Sequence, residues 1–115
     1  MIKIKNEVIT FIENFKSRGD RKKIEEFFLN GCCYWFAFIL DERFNRQGSI
    51  LYDIKNNHFV YMIEGNFFDI RGWLGDTPPK DTDYEFWDVY HYYDPIHAQR
   101  LHRDCIDLNN AEPAQ

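Results

Sequence analysis

Three side chains that together could transfer an acyl group lie in the middle of the chain, in the order cysteine, histidine, aspartate. Cys33 follows a glycine and another cysteine at the start of an apolar segment, His58 opens a second apolar run, and Asp69 closes the next. Hydrolysis by a thiol needs a nucleophile, a base that takes and returns its proton, and a carboxylate or amide that orients the base. Cys33 could be the nucleophile, His58 the general base and then acid, and Asp69 the group that orients His58.

The position of Cys33 favours a reactive thiol. A thiol attacks as the thiolate, and the partly positive N-terminus of a helix stabilises that anion. The segment from Cys32 onward is apolar until Asp41, which predicts a buried helix that begins at the two adjacent cysteines. Cys32 is interpreted as a packing neighbour. Because buried free cysteines are common as small apolar side chains, an inert Cys33 is the competing interpretation.

Three helices are predicted in the first half of the chain. Apolar residues at helical spacing indicate a helix over residues 5–17. Asp20 is a suitable N-cap for a short second helix over residues 21–29. The third helix covers residues 32–44 and, since it is apolar almost all round, we expect it at the centre of the domain.

Short β-prone runs follow, and these must position the histidine and the aspartate. Residues 49–54, 58–63 and 67–70 are separated by turn-forming Asn-Asn and Glu-Gly-Asn sequences. This pattern predicts a three-stranded antiparallel meander. Pairing of its second and third strands would bring Asp69 beside His58 or its neighbour two residues on, with both side chains on one face of the sheet.

The last third of the chain is expected to complete a single domain. Glycines and prolines indicate a loop over residues 72–83, and residues 84–90 could form another strand. An Asp-Pro pair predicts a final helix over residues 94–108, because Asp caps helices and Pro fits their first turn. Residues 109–115 are polar and expected to fray. The predicted fold class is α+β over residues 1–115, with N-terminal helices, a central buried helix on a small antiparallel sheet, and a C-terminal helix.

Size and charge limit the possible partners. The chain has 115 residues, of which 44% are hydrophobic and 18% aromatic, enough to build one core without a metal or crosslink. Its net charge of −5 argues against nucleic-acid binding, which depends on clustered Lys and Arg. The three cysteines suggest no disulfide framework and no apolar run could span a bilayer, so we expect a cytoplasmic protein with no membrane partner. No cofactor is predicted. His97 and His102 would lie on different faces of a helix, so no metal site is predicted either.

The central segment resembles the papain-like fold of small cysteine hydrolases, and in particular a set of short bacterial and phage proteins with three ordered motifs. These are a G-x-C-x-x-F-A-x-x-L helix, an H-[FV]-V strand and a D-x-x-G strand end, which here read GCCYWFAFIL from Gly31, HFV from His58 and DIRG from Asp69. The resemblance implies a papain-like fold, a hydrolase or transferase ancestry, and Cys33 as the nucleophile. Papain-type enzymes place a glutamine shortly before the nucleophile to stabilise the oxyanion. Asn30 is the nearest candidate here.

Aromatic side chains could form a surface that binds a substrate or partner. The candidates are Tyr34, Trp35, Trp73, Trp87 and Tyr90. Aromatic clusters more often pack a core or cover an edge strand, and both interpretations stay open.

The sequence therefore predicts a cysteine hydrolase of the peptidase or amidase type, which cleaves an amide bond of a protein or peptide through a Cys-His-Asp triad. Since the chain is short, the substrate is expected to dock on its surface. The alternative is a catalytically silent papain-like binding module, phage-encoded and directed at a host defence protein. A structural domain of a larger assembly is a third possibility, and the sequence predicts no oligomeric state.

Overall fold

A computed structural model describes residues 3–30 and 32–87, which form three helices followed by an antiparallel sheet. The elements are α1 Ile4–Lys16, α2 Arg21–Leu29, α3 Cys33–Arg43, β1 Ser49–Asp53, β2 His58–Ile63, β3 Asn66–Asp69, β4 Gly72–Gly75 and β5 Tyr84–Phe86. The five strands lie in the order β4-β3-β2-β1-β5. The α+β class is confirmed. The helix predicted over residues 94–108 and the tail over 109–115 lie outside the described residues.

The three N-terminal helices begin and end close to their predicted limits. The Asp20 carboxylate accepts a hydrogen bond of 3.2 Å from the Lys23 N–H, which confirms the N-cap of α2. α1 buries Val8, Phe11, Ile12 and Phe15 on one face. α3 is buried along most of its length, as its apolar sequence predicts. Within residues 3–30 and 32–87, no helix is both long and apolar enough to cross a bilayer.

The sheet contains the predicted meander but is larger than predicted. β1 pairs with β2 and β2 with β3, whereas the loop predicted from residue 72 is wrong at its start, because β4 pairs with β3 there. Gly72 and Gly75 have φ angles of +114° and +117°, a backbone region that favours glycine, so the strand is bounded by residues typical of turns. β5 falls within the segment expected to be extended and pairs with the free side of β1.

The helices cover one face of the sheet. The main core joins α1 and α3 to Tyr61, Ile63 and Phe68. The opposite face carries a smaller apolar cluster around Val60, with Leu51, Phe67, Leu74 and Tyr84. Since side chains alternate along a strand, His58 belongs to the Val60 face and not to the face that α3 covers. The sequence predicted a central helix on the sheet but not which face it would cover.

A buried carboxyl group lies under the helical layer. Asp41 is 5% exposed, and its Oδ1 atom has no hydrogen-bond partner. The Tyr61 hydroxyl hydrogen-bonds to Asp41 and accepts a bond of 3.0 Å from the Gly48 N–H. Burial raises the pKa of Asp41 to about 6 despite the bond from Tyr61. Gly48 cannot be replaced without movement, because a Cβ atom there would lie 2.3 Å from the Met62 carbonyl oxygen.

Candidate functional site

Cys33 is the first residue of α3, and its thiol lies against the beginning of β2. The residue is 8% exposed. Burial by itself raises the pKa of the Cys33 thiol, but hydrogen bonds with the His58 ring and with the backbone of Phe59 and Tyr34 outweigh burial, and the pKa is lowered. The N-terminus of α3 favours the same anionic form. The surroundings of the thiol therefore favour its anionic form.

His58 connects the thiol to a carboxylate. Its Nε2–H donates to Asp69 Oδ2 at 3.0 Å, which leaves Nδ1 for the bond with Cys33. The bond to Asp69, followed by the bond to Cys33, outweighs the effect of burial and raises the pKa of His58 to about 9. A lowered thiol pKa beside a raised imidazole pKa favours the thiolate–imidazolium pair at pH 7.

The strand register explains how His58 and Asp69 come together. The ladder between β2 and β3 runs from Ile63–Asn66 to Tyr61–Phe68. One step further along this register, Asp69 faces Val60, which lies on the same side of the sheet as His58. The predicted placement of Asp69 beside His58 or Val60 is what the register produces. The thiol meets this pair at the end of the sheet, where α3 and β2 both begin.

Asp69 binds His58 and its own backbone at the same time. Its Oδ1 accepts the Arg71 N–H at 2.8 Å, which closes a tight turn, while Oδ2 accepts from His58. The Arg71 guanidinium also donates to both carboxylate oxygens. Burial raises the pKa of Asp69, but the bonds from His58 and Arg71 outweigh it and lower the pKa. Asp69 is thus anionic and fixed in position.

Sequence reasoning missed the role of Arg71. Because Arg71 holds the carboxylate that holds His58, it is a positioning residue for the imidazole. An Asp-x-Arg sequence at a strand end was the available signal, since the short separation allows both a backbone and a side-chain contact with the carboxylate.

A cavity of about 400 Å³ lies beside His58 on the Val60 face. Its lining includes Arg71, Lys80 and Asp53, none of which was predicted. Asp53 is 2% exposed and accepts hydrogen bonds from the N–H groups of Lys55, Asn56 and Asp83 and from the Asn56 side chain. Asp53 thereby joins the turn after β1 to the segment before β5, and these two segments form part of the cavity wall.

Asn30 and Cys32 flank the start of α3. Asn30 is the C-cap of α2, and its Nδ2 donates to the Glu26 carbonyl at 2.9 Å. That bond uses one of the two side-chain N–H groups, so a contribution of Asn30 to oxyanion stabilisation stays a prediction. Cys32 is the N-cap residue of α3 and is partly exposed.

The aromatic candidates divide into two places. Tyr34 and Trp35, which follow Cys33 in α3, lie with Trp87 in one cluster around Phe59, whose ring is 5.1 Å from that of Tyr34 and 5.0 Å from that of Trp87. Trp73 is elsewhere. It is opposite Phe68 on the helical side, donates to Asn66 at 3.0 Å and stacks under the Lys5 ammonium group at 4.3 Å. Tyr90 lies outside the described residues.

The described part of the chain contains no group of three or more His, Cys, Asp and Glu side chains that could hold a metal ion.

These observations define a small α+β protein that holds a cysteine, a histidine and an aspartate in contact at one end of its sheet. The family model for phage YunG-like proteins matches residues 8–103, which include all three side chains. The chain belongs to this family. Searches of curated proteins and of solved structures gave no match.

Proposed function

We propose that this protein is a cysteine hydrolase that cleaves an amide bond of a protein or peptide, with a papain-like arrangement of its catalytic groups. The observation that carries the proposal is the 3.0 Å hydrogen bond between His58 and Asp69 beside the Cys33 thiol, together with the opposite pKa shifts of the two reacting groups, lowered for the thiol and raised for the imidazole. Perturbed pKa values with specific charge partners are typical of functional sites.

In the first step the Cys33 thiolate attacks the carbonyl carbon of the amide and forms a C–S bond. The electron pair of the carbonyl moves to its oxygen, giving a tetrahedral oxyanion. As this oxyanion collapses, the His58 imidazolium gives its proton to the departing nitrogen and the C–N bond breaks. The products of this half-reaction are a thioester on Cys33 and a free amine.

In the second step neutral His58 takes a proton from water while the oxygen of that water attacks the thioester. The C–S bond breaks, the acid product leaves, and Cys33 returns to the thiolate with His58 protonated. Asp69 keeps the ring oriented and stabilises its charged form throughout. Over the two steps His58 gives one proton to the leaving amine and regains one from water.

The oxyanion needs donors, and the nearest ones are on the backbone. The backbone N–H groups of Phe59 and Tyr34 help to lower the pKa of the Cys33 thiol. Attack moves the negative charge from the sulfur to the carbonyl oxygen, which lies about one bond length from the carbon that the sulfur attacks. N–H groups close to the sulfur are therefore candidates to stabilise the oxyanion. This assignment gives the site a source of oxyanion stabilisation besides Asn30.

The first test measures the thiolate. In a Cys32→Ser, Cys105→Ser background, in which Cys33 is the one remaining thiol, iodoacetamide alkylation is followed against pH by intact mass. We expect labelling to persist well below the ordinary thiol pKa, and His58→Ala to slow it at least about tenfold near pH 6. The ratio of the labelling rates of the two proteins is compared, because the burial of the thiol slows alkylation in both. Equal rates would overturn the ion pair.

The second test measures acyl transfer. p-Nitrophenyl acetate should release nitrophenolate in a burst equal to the amount of protein and leave an acetyl thioester on Cys33, whereas Cys33→Ala should show no burst. Release of nitrophenolate after the burst should increase with pH, because hydrolysis of the thioester needs the neutral form of His58 to take a proton from water. An equal burst from Cys33→Ala would rule out this hydrolase and leave the binding module.

A further inference from the structure

We propose that the cavity beside His58 binds a carboxylate on the leaving-group side of the substrate. That the ligand is the leaving group of a substrate rests on the proposed hydrolase function. That the ligand carries a carboxylate rests on the residues that line the cavity.

The cavity is built to receive a side chain or small group. Its volume of about 400 Å³ lies in the range of ligand pockets, roughly 300–1,000 Å³. Val60, Leu74, Leu29 and Pro79 supply apolar lining, while the polar lining comes mainly from the turn after β1 and from the segment before β5. An aliphatic stem with a polar end would match this lining.

The polar groups that remain available in the cavity are donors. Asp53 already accepts four hydrogen bonds from the two segments it joins. By contrast, Lys80 makes no ion pair with residues 3–30 or 32–87, and Nη1 of Arg71 makes no hydrogen bond to that part of the chain. Lys80 and Arg71, two cationic residues with unused N–H donors, therefore belong to the lining of a cavity whose own carboxylate already accepts four hydrogen bonds. A carboxylate is the group that such donors bind most strongly.

The position of His58 indicates which side of the scissile bond of the substrate lies toward the cavity. It lines the cavity, whereas Cys33 is not among the described residues that do. The imidazole thus lies between the thiol and the cavity. A general acid must reach the nitrogen to which it gives its proton, so the leaving amine lies against His58 and its substituent extends toward the cavity. The acyl group, bonded to sulfur, stays on the other side.

Two kinds of leaving group carry such a carboxylate. One is a C-terminal amino acid with its own α-carboxylate, and the other is a residue with an acidic side chain. The chemistry that Arg71 and Lys80 recognise is the same for both, and small ligands can separate them.

The test measures binding to the reduced full-length protein by isothermal titration calorimetry. N-acetyl-leucine is compared with N-acetyl-leucinamide, and N-acetyl-glutamic acid α-amide with N-acetyl-glutamine α-amide. We expect the acid of at least one pair to bind at least tenfold more tightly than its neutral amide, and the pair that does so identifies the source of the carboxylate. Lys80→Gln should weaken that acid three- to tenfold. Lys55→Gln, which removes an exposed lysine paired with Asp81, should leave binding unchanged.

Three results would overturn the proposal. The acid and the amide of both pairs could bind within twofold of each other, no ligand could bind detectably, or Lys80→Gln and Lys55→Gln could have equal effects. None of these measurements requires a reactive thiol. The carboxylate site and the hydrolase can therefore fail separately, because the alkylation and acyl-transfer tests report only on Cys33 and His58.

Discussion

Asp69 and Asp41 are both buried carboxyl groups, yet their surroundings drive their pKa values in opposite directions. Asp69 is 4% exposed and is bound by His58 and by Arg71, so its pKa is lowered. Asp41 is 5% exposed, has the Tyr61 hydroxyl as its side-chain partner and keeps one oxygen unpaired, so its pKa rises to about 6. Burial is equal for the two. The cationic partners of Asp69 decide the difference, and they make it useful for holding an imidazolium.

The largest effect is expected when Asp69 loses its charge. Asp69→Asn removes the anion that stabilises protonated His58, so the pKa of His58 falls and that of Cys33 rises. We expect iodoacetamide labelling of Cys33 near pH 6 to slow by about two orders of magnitude, less than the roughly 10⁴-fold loss of kcat when a triad aspartate is neutralised, because alkylation reports only on the thiolate. Asp41→Asn, a matched change at equal burial, should alter the rate less than about twofold. Similar losses of labelling rate in both variants would show that the reactivity of Cys33 does not depend on the charge partners of Asp69.

A smaller effect, on stability, is expected on the Asp41 side. Gly48→Ala places a Cβ atom 2.3 Å from the Met62 carbonyl oxygen and 2.6 Å from the Tyr61 ring. The free energy of unfolding should fall by about 1–3 kcal/mol, the usual cost of overpacking, as measured by urea denaturation. Gly19→Ala is the control, since its nearest neighbour would lie at an ordinary 3.6 Å. An unchanged unfolding midpoint for Gly48→Ala would show that the Tyr61–Asp41 contact is loosely packed.

The smallest effect is a change in how stability depends on pH. Because the folded pKa of Asp41 is raised to about 6, the unfolded chain releases this proton at lower pH than the folded protein, and stability is lost as pH rises from about 4 to 6. Asp41→Asn cannot ionise. It should flatten this part of the profile and stabilise the protein on the order of 1 kcal/mol at pH 8 relative to wild type. A profile that is parallel to that of wild type from pH 4 to 8 would contradict the raised pKa.

The sequence predicted those elements whose pattern is local. The helical spacing in α1, the Asp20 cap of α2 and the apolar run of α3 each identify an element within a dozen residues. β4 was missed because it is short and lies between two glycines with positive φ. Its pairing is decided by β3 and not by its own sequence.

The same distinction applies to the site. The spacing of Cys33, His58 and Asp69 predicted their meeting because one helix start and one hairpin are enough to bring them together. The cavity was not predictable, because its wall depends on contacts between distant segments. Asp41 and Tyr61 illustrate the same limit in the core, since no periodicity links a helix end to the middle of a strand.

Asp53 has a consequence for how this molecule opens. Its carboxylate is the common acceptor for backbone groups of the β1–β2 turn and of Asp83, a residue 30 positions away. Proton exchange at these amides should therefore be cooperative, since an opening that frees one of them releases the acceptor of the others. Such an opening would remove a wall of the cavity while the helices and the central strands stay folded. We expect this local opening to cost only a fraction of the free energy of global unfolding.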